Sequence, residues 1–149
     1  MIIKKATKKE KKDSLKIASE LKEWFTPEGL KNIETDFNMN SVIVAVEKTK
    51  VIGFLCYTSY CGKMILLWMG VDRQIQRTGV GKALLSNLEN IARKLKLYSI
   101  EVETLPDEDS YEPYKLTRNF YYKNGFKKVL YKKARIEGWD DQIVLEKVL

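Results

Sequence analysis

The chain has 149 residues, the usual size of one domain and long enough to bury a sizeable core. Hydrophobic residues make up 44% and charged residues 32%, which is typical of a folded globular protein and argues against disorder. The net charge of +7 could serve to bind nucleic acid, to bind an anionic cofactor, or only to keep the protein soluble. The absence of histidine excludes histidine-based triads, histidine-ligated zinc and a histidine general base.

Up to residue 71, the pattern predicts a short strand, two helices and three further strands. Apolar side chains recur with a period of 3.6 residues in the first helix, and Thr26 followed by Pro27 signals the start of the second. The last of the three strands is apolar on both faces, which predicts a central place in the sheet. In chain order the elements are a strand at 1–7, a helix at 8–25, a helix from 26, and strands at 41–47, 51–60 and 64–71.

The second half predicts a helix after "QRTGVGK", a strand at 98–105, an acidic loop at 106–113, a helix ended by Gly125, and two final antiparallel strands. This order indicates a single α/β domain, 1–149, with a mixed and mostly antiparallel sheet of about six or seven strands and helices on both faces. No apolar run approaches the roughly 20 residues that span a bilayer, and the N-terminus is too weakly apolar for a signal peptide. We expect a cytoplasmic location without membrane contact. Cys56 and Cys61 are expected to be free thiols.

The segment "QRTGVGK" places two glycines and two cations at the start of a helix. It fails the Walker A pattern, and it fails the dinucleotide pattern because Leu84 stands where the last glycine belongs. Gly79 and Gly81 would still let a ligand approach the backbone, and a helix N-terminus flanked by Arg77 and Lys82 favours an anion. A diphosphate would suit this turn. A tight turn in which the glycines serve geometry alone is the alternative.

Two motifs resemble those of the GNAT N-acetyltransferase superfamily. "QRTGVG" matches its Q/R-x-x-G-x-G/A signature, although Arg73 stands where the family often has proline. About 40 residues later, "FYYKNGFKKV" resembles its aromatic-Tyr-x-x-x-Gly-Phe motif, with Tyr121 in register with Gly125. The predicted order of elements is also the family's order, so the resemblance covers nearly the whole chain.

The resemblance implies acetyl-coenzyme A as the co-substrate. Main-chain amides of the glycine turn would hold its pyrophosphate, and the end of strand 64–71 would pair with the pantetheine arm. Strand 98–105 would diverge from strand 64–71, with the thioester between them. Tyr114 stands where many relatives have a cofactor-binding asparagine. The residues implied to bind the coenzyme are Met69, Gly70, Val71, Gln76, Arg77, Thr78, Gly79, Val80, Gly81, Lys82, Thr117 and Phe120.

The resemblance further implies that Tyr121 is the general acid, which would protonate the coenzyme A thiolate. An amide near Val71 would polarise the thioester carbonyl. An ordinary packing tyrosine is the alternative for Tyr121. The general base is open: Glu103 is the first candidate and Glu101, on the same strand face, the second. A water relay, or a glutamate that only faces solvent or pairs with a lysine, fits equally well.

The resemblance also implies that the early helices, the acidic loop and the C-terminal strands select the acceptor. Their acidic and aromatic residues suit a cationic amine, such as a polyamine, an aminoglycoside or a peptide amine. Solvated acidic loops are the alternative. The residues concerned are Asp107, Glu108, Asp109, Glu112, Asp140, Asp141, Trp24, Trp139 and Tyr111.

Two other functions stay open. A non-catalytic acyl-CoA-binding regulator would keep the glycine turn without needing Tyr121. A nucleic-acid-binding module fits the charge but is less favoured, because the lysines gather in the first helix and in "KKVLYKK" while most aromatic residues lie in apolar runs. No metal site is predicted. The resemblance adds a homodimer as an expectation by analogy.

Overall fold

A computed structural model of the chain describes residues 1–149, and it confirms the predicted order of elements. Both cysteines are free thiols, as predicted. No helix is long and apolar enough to cross a membrane. The strands are β1 (Ile2–Lys5), β2 (Ser41–Glu47), β3 (Lys50–Tyr60), β4 (Lys63–Val71), β5 (Ser99–Thr104), β6 (Lys127–Lys132) and β7 (Gln142–Val148), and the helices are α1 (Lys8–Glu20), α2 (Pro27–Met39), α3 (Val80–Lys94) and α4 (Glu112–Lys123).

The seven strands form one sheet in the order β1-β2-β3-β4-β5-β7-β6, with β4 at its centre as predicted. All neighbouring strands are antiparallel except β4 and β5. The parallel pairing of these two strands runs only from Lys63 opposite Ser99 to Leu66 opposite Val102. Both strands continue beyond that point, so they separate there. We call the opening between them the splay.

A β-bulge lies where β4 leaves β5. On β3, Cys56 is opposite Trp68 and Tyr57 is opposite Leu66, so Leu67 is the extra residue. Leu67 and Trp68 consequently both pack towards α1 and α2, although alternation along a regular strand would put them on opposite faces. From Leu67 onwards β4 pairs with β3 alone, which leaves one edge of its backbone free along the splay.

Two hydrophobic cores lie on opposite faces of the sheet. α1 and α2 pack on one face, around Ile33, Phe37 and Phe54. α3 and the C-terminal part of α4 pack on the other face, around Leu84, Leu88 and other fully buried side chains. The prediction of helices on both faces is therefore confirmed, and the splay lies between the two layers.

Two predicted boundaries are wrong. The first helix ends at Glu20 and not at Phe25, because the Glu20 carbonyl accepts a hydrogen bond from Arg73 and the following residues fold into a turn. The last helix begins at Glu112, inside the predicted acidic loop, with Pro113 in its first turn. Proline is tolerated there because the first N–H groups of a helix need no intrahelical acceptor, so the proline marked a helix start and not a loop.

Candidate active site

The glycine turn gives α3 an open N-terminus. Gly79 is the N-cap residue, with a φ of 96°, and no side chain caps the helix. Ala83 makes the first helical hydrogen bond, to the Gly79 carbonyl at 3.0 Å. The N–H groups of Val80, Gly81 and Lys82 therefore have no intrahelical acceptor and point out of the helix start. Arg77 has a φ of 65°, so the turn holds a second residue in the left-handed region.

Two cations flank this helix start without a partner. Arg77 and Lys82 are exposed, and neither takes part in any ion pair of the chain. Their charges add to the positive end of the helix dipole. The arrangement can bind a polyphosphate through backbone amides and two flexible cations.

The end of β4, the start of α3 and the side of α4 meet at Gly81. A Cβ atom on Gly81 would lie 3.5 Å from the Phe120 ring and 3.8 Å from Val71 Cγ2, which are ordinary contacts. Neither packing nor backbone geometry therefore requires glycine at this position. A Cβ atom on Gly79 would meet nothing within 4 Å, whereas on Gly70 it would lie 2.6 Å from the Phe54 ring. Gly70 is therefore required by the core itself.

Polar side chains of the turn support its own backbone. Gln76 donates from Nε2 to the Val71 carbonyl at 3.1 Å, and Thr78 donates from Oγ1 to the Ile75 carbonyl at 2.5 Å. Met69 and Val71 belong to the part of β4 whose backbone edge is free, and their side chains pack against the core on the α3 side. The structure thus brings the coenzyme-binding residues predicted on β4 and in the turn to one end of the splay.

Tyr121 lies in the core at the C-terminal half of α4 and is 4% exposed. Its ring packs edge-on against Phe120 and Phe126, with ring centroids 5.4 and 5.3 Å away. Burial raises the pKa of the phenol above its ordinary value, so the hydroxyl stays protonated at neutral pH. The hydroxyl forms no hydrogen bond within the chain. Every side-chain oxygen that is fully buried does have a hydrogen-bond partner. The Tyr121 oxygen is therefore not completely enclosed by the core.

Both candidate bases form ion pairs. The Glu103 carboxylate lies 2.7 Å from Lys132 Nζ, and Glu101 pairs with Lys63, which is also 3.5 Å from Glu146. Lysine pairing was the alternative that the sequence left open for both residues. Each carboxylate is therefore already held by an ammonium group of the chain. The arrangement favours water as the carrier of the amine proton.

Tyr114 and Thr117 face the turn between α1 and α2. The Tyr114 hydroxyl donates to the Trp24 carbonyl at 3.0 Å. The Trp24 indole N–H donates to the Pro113 carbonyl at 3.0 Å and to Thr117 Oγ1 at 3.1 Å. Burial, followed by the charges of Tyr111, Asp140 and Asp109, raises the pKa of Tyr114, which keeps this donor protonated.

Acidic residues from the β5–α4 and β6–β7 connections lie together beyond the C-terminal end of β5. A cavity of about 220 Å³ is lined there by Pro106, Glu108, Asp109, Tyr131, Asp140 and Asp141. Asp107 points away from this cavity and binds Tyr122, Arg118 and Lys128. Glu112 lies in the first turn of α4, the Tyr111 ring lies tilted against that of Tyr114, and Trp139 is 70% exposed. Four of the six predicted acidic residues are thus brought together.

Arg118 is a site residue that sequence reasoning missed. It is 3% exposed and donates to the Leu105 carbonyl at 3.2 Å and to the Asp109 carbonyl at 2.8 Å. These bonds hold the segment between β5 and α4. The signal in the sequence was the position of Arg118 on the same face of α4 as Tyr114, Tyr121 and Tyr122, three or four residues away.

Residues 38–128, more than half of the chain, match the sequence profile of the acetyltransferase (GNAT) domain. No curated protein matches the chain by sequence. Solved structures do match. A GNAT-family protein from Desulfovibrio desulfuricans has a TM-score of 0.85 at 22% identity, covering 99% of this chain and 98% of its own.

Two further structures are similar. The ribosomal-protein-S18-alanine N-acetyltransferase of Escherichia coli has a TM-score of 0.79 at 16% identity, covering 99% of this chain and 92% of its own. The PaiA N-acetyltransferase of Thermoplasma acidophilum, in complex with coenzyme A, has a TM-score of 0.76 at 20% identity, covering 99% and 98%. Identities this low show the shared fold alone. Because the profile match spans both the glycine turn and the Tyr121 motif, the chain belongs to the GNAT acetyltransferase family.

Proposed function

We propose that the protein is an N-acetyltransferase that moves an acetyl group from acetyl-coenzyme A to a primary amine. The observation that carries this proposal is the open, positively flanked start of α3, which lies at the end of the splay. Family membership supports an acyl-coenzyme A donor, and the matched residues 38–128 include this turn.

The residues at this end of the splay fit the coenzyme. Free amides of Val80, Gly81 and Lys82 would bind the pyrophosphate, together with Arg77. The free edge of β4 would pair with the pantetheine arm as an added strand does. Gly81 supports the fit, since nothing in the chain itself requires glycine there.

Bound acetyl-coenzyme A supplies a thioester, whose carbonyl carbon the amine attacks so that a C–N bond forms and the C–S bond breaks. Tyr121 holds a proton on its phenol oxygen and gives it to the departing sulfur. A backbone N–H near Val71 donates to the carbonyl oxygen as negative charge develops on it. The proton of the attacking amine passes to water.

The acceptor is proposed to be a cationic amine. Glu108, Asp109, Asp140 and Asp141 line the cavity at the far end of β5, and four carboxylates at one cavity attract an ammonium group. This surface differs in sign from the α3 start, so the donor and the acceptor are drawn to separate ends of the site.

Binding of the donor and turnover can be tested separately. We expect acetyl-coenzyme A to raise the melting temperature, because a ligand that binds only the folded state stabilises it. Thiol release should then be measured with a polyamine, an aminoglycoside and a lysine peptide. The absence of a thermal shift at millimolar acetyl-coenzyme A would rule out both the transferase and an acyl-CoA-binding regulator.

Tyr121→Phe tests catalysis, with Tyr122→Phe as the matched control. Removing a general acid lowers turnover by about 10²–10⁴-fold, and we expect this in Tyr121→Phe at saturating donor, with donor affinity unchanged. The Tyr122 hydroxyl is engaged with Asp107, so Tyr122→Phe should retain turnover. Equal turnover in the two variants would leave Tyr121 a packing residue, whereas a wild type that binds the donor but releases no thiol would favour a regulator.

A further inference from the structure

The turn between α1 and α2 reaches from β4 to α4. On the β4 side, Leu21 Cδ1 would lie 3.3 Å from a Cβ atom on Gly70, and the Phe25 ring packs on Trp68 with centroids 6.0 Å apart. Trp68 and Gly70 belong to the half of β4 that has left β5. The turn therefore covers β4 along the splay.

On the other side, Trp24 attaches the same turn to α4. Its indole N–H donates to both Pro113 and Thr117, and its carbonyl accepts from Tyr114. The Thr117 hydroxyl is itself fixed, because it donates to the Pro113 carbonyl at 3.1 Å. Three hydrogen bonds thus join two segments that are about 90 residues apart in sequence.

A third attachment holds the base of the turn. Arg73, just before the glycine turn, pairs with Glu23 and donates to the Glu20 carbonyl at 3.0 Å. The segment 21–25 is consequently held by β4, by α4 and by the loop that leads into α3. Loops are ordinarily the most mobile parts of a fold, and these three attachments restrain this one.

We propose that Trp24 is a positioning residue that determines acceptor specificity. By fixing the α1–α2 turn to α4, it makes this turn a wall of the splay on the α1–α2 face and limits the width of the amine that reaches the thioester. This inference rests on the proposed function, since it takes the splay as the place of the thioester. With the wall in place, the splay is open at its end beside the acidic cavity, and a slender amine would enter there.

The wall itself is tested without any ligand, by hydrogen–deuterium exchange of residues 21–26. Trp24→Phe keeps an aromatic ring but loses the N–H donor, and Thr117→Val loses its acceptor oxygen. Losing both indole bonds in Trp24→Phe should speed exchange in this segment about tenfold, and losing one of them in Thr117→Val should speed it by a smaller factor. Thr117→Ser keeps the hydroxyl and should exchange like the wild type. Trp139→Phe, at an exposed position, is the matched control. An unchanged exchange rate in Trp24→Phe would overturn the proposal that Trp24 holds this turn in place.

Specificity is tested by comparing kcat/KM for a slender amine, 1,5-diaminopentane, and a bulky one, kanamycin. In Trp24→Phe, the ratio of bulky to slender should rise about tenfold, while donor affinity stays within about twofold of the wild type. An unchanged ratio, or a parallel loss of donor affinity, would overturn the specificity role. Failure of the proposed function would differ, because then the wild type itself would release no thiol while the exchange result would still stand.

Discussion

The N-termini of α1 and α2 differ from that of α3 in how their free N–H groups are satisfied. Thr7 accepts from the Glu10 N–H while Glu10 accepts from the Thr7 N–H, which completes a capping box. Thr26 likewise accepts from Gly29 at 3.0 Å. At α3, a glycine in the left-handed region replaces the capping side chain, and no acid stands in the first turn.

The difference supports the proposal that the α3 start binds a ligand, whereas the starts of α1 and α2 serve stability. A side-chain cap occupies the N–H groups that an anion would bind. α3 lacks the cap and carries Lys82 in its first turn and Arg77 just before it. The chain therefore gives up the stabilisation of a side-chain cap at a helix start that adjoins the splay.

The largest expected effect is that of Gly79→Val on donor binding. Valine is strained at a φ of 96°, and its methyl groups would occupy the open space before the helix. Losing one or two charge-assisted hydrogen bonds, each about 1.5–3 kcal/mol, should weaken acetyl-coenzyme A binding at least tenfold. Calorimetric titration measures the affinity.

Gly138→Val is the matched control for this substitution. Gly138 also has a positive φ, of 84°, and open space around it, but it lies in the β6–β7 connection. The backbone strain of about 1–2 kcal/mol should be similar in both variants. Retained affinity in Gly79→Val, or an equal loss in Gly138→Val, would contradict the assignment of the α3 start to the donor.

Thr26→Ala should lower stability and leave donor binding alone. Removing a threonine cap costs about 1 kcal/mol, because one N–H group at the start of α2 loses its acceptor. Urea unfolding measures the loss, and the thermal shift with acetyl-coenzyme A should keep its wild-type size. A reduced shift would mean that α2 contributes to the donor site.

Gly81→Ala should raise the free energy of unfolding slightly. Glycine within a helix is about 0.5–1 kcal/mol less favourable than alanine, and the added Cβ atom would make only ordinary contacts with Phe120 and Val71. Urea unfolding again measures the change. A loss of stability would show that the glycine serves the fold, and the argument for a ligand at this position would then fail.

The smallest effect concerns pH. The hydrogen bond from Lys4, followed by that from the Thr7 N–H, lowers the pKa of Glu10 below its ordinary value of 4.5. A carboxyl group with a lowered pKa stabilises the fold above its ordinary value, and this stabilisation fades as pH falls below 4.5. The stability difference between wild type and Glu10→Gln should therefore shrink between pH 6 and pH 3. A constant difference would show that the capping box does not depend on the Glu10 charge.

The sequence predicted the order of elements and the glycine turn because these follow from local patterns. The period of the apolar residues marks helices and strands, and Gly79 marks the left-handed residue of the turn. The end of α1 was wrong, since Trp24 and Phe25 continue the helical period while Arg73 and α4 draw them into a turn. The pairing of Glu101 and Glu103 with lysines was left open, because the partners lie on other strands.

By itself, the sequence determined the order of elements, the open start of α3 and the register of Tyr121 with Gly125, since each depends on residues close together in the chain. Only the tertiary structure decided what lies beside them. The early end of β4–β5 pairing opens the splay, Arg118 holds the segment after β5, and Trp24 reaches α4 across almost 90 residues of sequence. Such contacts depend on how elements pack against each other, and no local pattern encodes that.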